Sequence, residues 1–119
     1  MIAIVDDDAA VREALLDFLQ VEGLPARCFA DAASFLADPA TDEFACVITD
    51  IRMPDIDGLE LQRRLRACGS ALPVIFITST SEEATRARAM QGGAIAFLTK
   101  PFDDEALLAT LRTVVGGSH

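Results

Sequence analysis

The stretch Val47-Ile48-Thr49-Asp50-Ile51-Arg52-Met53-Pro54-Asp55-Ile56-Asp57-Gly58 decides how the rest of the chain is read. It opens as a short apolar run of strand type. Asp50 then stands where an apolar residue would prolong the strand. Pro54 and Gly58 mark a loop with a defined course, and the pattern beyond them is helical. A carboxylate at the C-terminal end of a buried parallel strand sits where open α/β sheets bind their ligands. An isolated Asp also serves as an ordinary turn residue, so the rest of the chain has to separate the two readings.

Working outward, the same strand-then-helix alternation recurs. Ile2-Ala3-Ile4-Val5 is a buried strand ended by Asp6-Asp7-Asp8. Val11, Ala14, Leu15, Phe18 and Leu19 follow at helical spacing, stopped by Gly23. Residues 25–29 form a second, weaker strand. Asp31 caps a short helix carrying Phe35 and Leu36 that ends before Pro39. Phe44 to Thr49 is the third strand. Asp57 caps the third helix, with Leu61 and Leu65 inward, Arg63, Arg64 and Arg66 largely outward, and Gly69 at its close. Leu72 to Thr78 is the fourth strand. Thr80 and Glu83 fit a capping box for the fourth helix, whose apolar stripe is only Ala84, Ala87 and Met90 before Gly92-Gly93 ends it. Ile95 to Thr99 is the fifth strand. It leads through Lys100-Pro101, expected cis, to a last helix capped by Asp103 with Leu107, Leu108, Leu111 and Val115 toward the core. Five such pairs imply a parallel sheet with helices on both faces. Residues 1–115 are expected to form one domain, and Gly116-Gly117-Ser118-His119 a flexible tail or linker stub.

Composition narrows the function. The 119 residues suffice for one domain with a proper core, and 51% of them are apolar. No run of eighteen apolar residues and no signal-peptide pattern occurs, so the expectation is a soluble, cytoplasmic protein away from membranes. Nineteen acids against ten bases give a formal charge of −9, which disfavours direct nucleic-acid contact by this domain. Cys28, Cys46 and Cys68 form no Cys-x-x-Cys, so neither disulfides nor zinc are indicated. Cys28 and Cys46 are expected as small core residues. The single histidine, His119, removes histidine-based catalysis and histidine metal sites.

The polar residues that end apolar strands are Asp6 and Asp7, Asp50, Thr78 and Lys100, and a parallel sheet puts them along one edge. Three carboxylates in a poorly solvated cleft raise one another's pKa unless a cation joins them. A set of oxygen ligands with water suits magnesium. Lys100 is the only lysine beside nine arginines, and its flexible stem can bring an ammonium to a phosphoryl group. Together the parts describe a magnesium-dependent phosphoryl-transfer site with a carboxylate nucleophile.

Asp6-Asp7, Asp50 with Arg52-Met53-Pro54 and Gly58, Thr78, and Lys100-Pro101-Phe102 stand in the order found in receiver domains of bacterial two-component response regulators, which the chain resembles over essentially its whole length. The resemblance implies a doubly wound, flavodoxin-like five-stranded parallel sheet of order 2-1-3-4-5 with five helices on two faces. It implies that Asp50 accepts a phosphoryl group from a histidine kinase or phosphotransfer protein. It further implies that Asp6, Asp7, Asp50 and the Arg52 backbone carbonyl hold Mg2+, with Asp6 acting mostly through water. Lys100 and Thr78, with backbone N–H groups near Met53 and Ser79, would hold the phosphoryl oxygens. Thr78 and Phe97 take the switch positions: on phosphorylation Thr78 moves toward the phosphate and Phe97 turns inward. The surface of helix 4, strand 5 and helix 5 then changes, with a phosphorylation-dependent homodimer as one use of it. The output expected is control of transcription through a helix-turn-helix DNA-binding domain beyond this chain; a stand-alone receiver or phosphorelay intermediate is the alternative. On either reading the domain promotes only its own phosphorylation and dephosphorylation and is no enzyme with external turnover. A haloacid-dehalogenase-type phosphatase shares Asp, Lys, Thr and magnesium, and Asp6-x-Asp8 mimics its motif. That class, however, needs a cap and a longer chain. A pseudo-receiver is disfavoured because no site residue is missing.

Overall fold

The structure, a computed structural model, describes residues 1–39, 41–79 and 82–115. Five strands, β1 (Ile2–Val5), β2 (Ala26–Phe29), β3 (Cys46–Thr49), β4 (Val74–Thr78) and β5 (Ala96–Thr99), pair in parallel in the order β2-β1-β3-β4-β5. Helices α1 (Ala9–Val21), α2 (Ala32–Ala37), α3 (Gly58–Ala67), α4 (Glu83–Gln91) and α5 (Asp104–Val115) alternate with them, and one 3-10 turn (Thr41–Glu43) precedes β3. This is the doubly wound, flavodoxin-like architecture that the alternation and the resemblance imply. Among the described residues no helix is long and apolar enough to cross a membrane.

The period-two geometry of a strand splits its side chains between two cores. Ile2 and Ile4 of β1, Cys46 and Ile48 of β3, and Ile75 and Ile77 of β4 pack with Leu15 and Leu19 of α1 and Leu107 and Leu111 of α5. Their neighbours Ala3, Val5, Val47, Val74 and Phe76 face the other way, toward Phe35, Leu61, Leu65 and Ala89. On that second face Phe29, Phe35 and Phe44 cluster with centroids 5.3 to 5.9 Å apart, two of the three pairs edge to face. With both faces covered, the strands read as continuous apolar runs. Cys46 is a core residue as expected, and burial pushes its thiol up to about 12. Cys28 is only half-buried.

The helix starts follow the side chains foreseen for them: Asp31 accepts from Ser34 N–H at 2.7 Å, Asp57 from Glu60 N–H at 2.8 Å and Asp103 from Glu105 N–H at 3.0 Å. Asp8 caps α1 in the same way, accepting from Ala10 N–H at 2.9 Å. The Lys100-Pro101 bond is cis.

Four expectations differ from the structure or fall outside the described residues. The Ala84, Ala87 and Met90 stripe of α4 does not face the core: all three are exposed, and Ala89 is the buried residue of that helix. A stripe of two alanines and a methionine carries too little apolar area to decide which way a short helix turns. Thr80 lies outside the described residues, but α4 begins at Glu83 with Glu82 as its N-cap, so Glu83 is not at the third helical position that a capping box requires. Arg66 is half-buried rather than outward; its guanidinium donates to carbonyls of Ser70, Leu72 and Gly92. The side chain of Val115 and the tail 116–119 lie outside the described residues.

Candidate functional site

Register builds the site. Val5 and Thr49 are partners across β1 and β3, so the residues that follow them, Asp6 and Asp50, emerge side by side. Strand order reverses between these two strands, which is where an open α/β sheet leaves a crevice. Thr78 and Thr99 are partners across β4 and β5, and the Lys100 N–H donates to the Thr78 carbonyl at 2.8 Å.

The Lys100 ammonium lies 3.2 Å from Asp50 Oδ2 and 3.8 Å from Asp6 Oδ2, so both carboxylates converge on one cation. Asp50 Oδ1 accepts from the backbone N–H groups of Ile51 at 2.6 Å and Arg52 at 3.3 Å. Asp6 Oδ1 accepts from Asp8 N–H at 2.9 Å, and its carbonyl accepts from the Arg12 guanidinium at 2.6 Å. Asp6 is 3% exposed, and burial raises its pKa above the ordinary carboxylate value; the Asp8 N–H and Lys100 pull it back, while Asp50 and Asp7 add to the rise.

Gly58 lets the loop close over the site. Its N–H donates to the Ile51 carbonyl at 2.7 Å, and a Cβ there would collide with the Asp50 carbonyl oxygen. Asp55, at φ 66°, takes the left-handed turn that Asp tolerates better than most residues. An open depression lined by Ile51, Arg52, Met53, Pro54 and Asp57 flanks Asp50.

A family profile described as the response regulator receiver domain matches residues 2–112. The chain belongs to the response regulator receiver domains. It is 43% identical over 115 residues to the response regulator protein TmoT of Ectopseudomonas mendocina, covering 97% of this chain and 52% of TmoT. It is 42% identical over 115 residues to the transcriptional regulatory protein FixJ of Azorhizobium caulinodans, covering 97% of this chain and 54% of FixJ. The receiver thus spans about half the length of these curated relatives. A crystal structure of a response regulator receiver protein from Pseudoalteromonas atlantica superimposes with a TM-score of 0.91 at 31% identity, covering 99% of this chain and 98% of that one. Receivers of response regulators are signalling modules that partner with histidine kinases or phosphotransfer proteins, and magnesium is a general feature of the family.

Of the residues expected in this receiver's site, Asp6, Asp50 and Lys100 meet directly. Thr78 is fully buried at the end of β4. Asp7 is exposed, and among the described residues no three Asp, Glu, His or Cys side chains are grouped closely enough to hold a metal as they stand. Two converging carboxylates are nonetheless the donor chemistry that a hard, water-retaining cation takes, because such an ion needs few protein ligands. Asp6 and Asp50 therefore fit magnesium, with Asp7 positioned next to them in sequence at the lip of the cleft. Phe97 is already inward, 7% exposed, with its ring against Phe76 at 6.2 Å.

Around α4 the structure gives Gln62, Arg66, Arg52 and Arg86 side-chain contacts that the sequence reading did not assign to them. Gln62 is buried and donates to the Ala89 carbonyl at 3.0 Å. Arg66 reaches Gly92 O at 3.0 Å. Arg52 pairs with Glu82 at 3.1 Å across the mouth of the site. Arg86 lies over the Phe97 ring, 5.9 Å from its centroid. Gln62 sits in helical register with Leu65 and Arg66, and that is the only trace of an inward role.

Proposed function

We propose that this receiver accepts a phosphoryl group on Asp50. The observation that carries the reading is the convergence of Asp50 and Asp6 on Lys100 at the switch point of the sheet. A carboxylate oxygen of Asp50 attacks the phosphorus of a phosphohistidine in line. The new P–O bond forms as the P–N bond breaks, and the imidazole leaves with the electron pair and takes up a proton. Lys100, already at Asp50, balances charge on the phosphoryl oxygens, and the Thr78 hydroxyl and the N–H groups near Met53 and Ser79 donate to them. Asp6, Asp7, Asp50 and the Arg52 carbonyl would hold magnesium, which would supply the remaining positive charge. The ordered N–H groups on Asp50 Oδ1 hold the carboxylate in place.

The downstream reading is control of an output, transcription in the case of relatives such as FixJ, through the surface of α4, β5 and α5. Met90 and Ile95, 42% and 39% exposed, give that surface apolar contact area for a second copy. In this reading the domain turns over no external substrate and contacts no nucleic acid itself, and a cytoplasmic location follows from its kinase partner. Acetyl phosphate with magnesium should add one phosphoryl group by intact mass. Full labelling of Asp50→Asn, or labelling that survives a chelator, would overturn the assignment.

A further inference from the structure

The turn that carries the acids after β1 is held from α1. Asp6 closes the ladder between β1 and β2: its N–H donates to the Phe29 carbonyl at 3.2 Å, and β2 ends at that residue. In an extended residue the carbonyl points to the same side as the N–H, so the Asp6 carbonyl faces past the end of β2, where the ladder has run out. The chain beyond Phe29 turns through Ala30 into α2, whose N-cap is Asp31. The donor comes from elsewhere: the Arg12 guanidinium reaches the Asp6 carbonyl at 2.6 Å. A buried carbonyl needs a partner, and a charged donor makes the stronger kind of hydrogen bond. Arg12 is itself well placed. It lies at the start of α1 and is half-buried; its N–H donates to the Asp8 carbonyl at 3.1 Å, and its own carbonyl accepts from the Cys28 thiol at 3.8 Å.

The peptide unit held in this way joins Asp6 to Asp7. It is planar and rigid, so fixing its carbonyl also fixes the direction in which Asp7 leaves. Asp6 has further holds: Oδ1 accepts from the Asp8 N–H at 2.9 Å, and Oδ2 lies 3.8 Å from the Lys100 ammonium. Asp7 is exposed, so no packing orients it, and the backbone that carries it is the part Arg12 anchors. We propose that Arg12 is a positioning residue of the cation site: its bond to the Asp6 carbonyl sets how Asp6 and Asp7 are presented beside Asp50, so that magnesium meets carboxylates already arranged. The inference rests on the reading of Asp6, Asp7 and Asp50 as magnesium ligands and adds a residue of α1 on which that set depends. Arg12 touches backbone and not a carboxylate, so it does not compete with the cation for a ligand as Lys100 does. Its charge alone opposes a cation nearby, since like charges repel, whereas its hydrogen bond favours one. The two effects have opposite signs, and removing the side chain separates them.

Calorimetric titration with magnesium alone, in the absence of a phosphodonor, tests this. Losing a group that orients a metal's ligands typically costs about 10–100-fold in affinity, so Arg12→Met, which keeps the apolar stem, should bind magnesium at least about tenfold more weakly. Loss of the charge alone would tighten binding instead. Arg12→Lys keeps the charge and a donor on a long stem, and should recover part of the lost affinity. Arg27→Met removes an arginine of β2 that pairs with Asp38 away from the site, and should bind as the parent does. In the metal-free protein, NMR should show faster exchange of the Asp8 amide, which donates to Asp6 Oδ1, in Arg12→Met. The Gly58 amide, which donates to the Ile51 carbonyl, should be unchanged. With acetyl phosphate, the magnesium concentration that gives half the labelling rate should rise by the same factor as the dissociation constant, and the rate at saturating magnesium should stay near the parent's. Unchanged or tighter binding by Arg12→Met, a lowered saturated rate at unchanged binding, or Arg12→Lys no better than Arg12→Met would overturn the role of Arg12. A parent that binds no magnesium overturns the ligand set on which the inference rests, while a parent that binds it as Arg12→Met does overturns the positioning alone.

Discussion

Replacing Asp6 by Asn should make the isolated domain more stable at neutral pH, although Asp6 sits at the centre of the site. The carboxylate is 3% exposed, and its pKa is raised, chiefly by burial. The sign follows from linkage. Above the ordinary value of 3.8 the unfolded chain gives up this proton while the folded chain still holds it. Folding is therefore disfavoured as pH rises from that value through the raised folded pKa, after which the cost is complete. That cost of keeping a buried carboxylate charged is absent in Asp6→Asn, so the variant is expected to be the more stable of the two at pH 7. For a domain of this length each 1 kcal/mol gained raises Tm by roughly 3–6 °C. Asn keeps an oxygen for the Asp8 N–H, and Lys100 keeps Asp50 at 3.2 Å, so little is lost in exchange. Urea and thermal unfolding from pH 3.5 to 8, without divalent ions, measure it: the advantage should be absent at the acid end and grow with pH. Magnesium should raise the Tm of the parent more than that of the variant. A variant less stable than the parent at pH 7, or a difference independent of pH, would refute the reasoning.

Gly58→Ala should cost roughly 1–3 kcal/mol or more and slow phosphorylation, because the added methyl meets the backbone carbonyl of Asp50 rather than a flexible side chain; chemical denaturation and acetyl phosphate labelling check both. Arg52→Asn should shorten the lifetime of the phosphorylated form by at least about threefold, since Arg can only donate and, once drawn from Glu82 to the phosphoryl group, would lie across the approach of the attacking water, whereas Asn can accept from it. The measurement is loss of label after the donor is removed; an equal or slower decay would refute the shielding. Thr80, the other residue expected near that water, lies outside the described residues. Beryllium fluoride should promote self-association through α4, β5 and α5 by sedimentation. A monomer unchanged at high concentration would favour a different protein as the partner of that surface.

The parts of the fold that were legible in the sequence are those set by one-dimensional pattern. Apolar runs of four or five residues, each ended by Asp, Thr or Lys and followed by a capped helix, specify the alternation. Once the strands are parallel, the register of Val5 with Thr49 brings Asp6 and Asp50 together. What could not be read is where side chains act on the backbone of a distant helix. Gln62 and Arg66 look like polar residues on an exposed face, and only the close approach of Gly92 and Gly93 to α3 turns them inward. The orientation of α4 was misjudged for the same reason: with so little apolar area, polar contacts from α3 and Ala89 settle it. Nor does the sequence say that Asp6 is buried and Asp7 exposed, a difference that follows from the way neighbouring side chains of an extended segment point in different directions.

Borohydride trapping tests the central claim most directly. Reduction of an aspartyl phosphate converts that residue to homoserine, which peptide mass spectrometry places in the sequence. After incubation with a phosphodonor and magnesium, homoserine should occur at position 50 and nowhere else. Homoserine at position 6 or 7, or none in a chain that carries the added phosphoryl mass, would contradict the assignment of Asp50 as the acceptor.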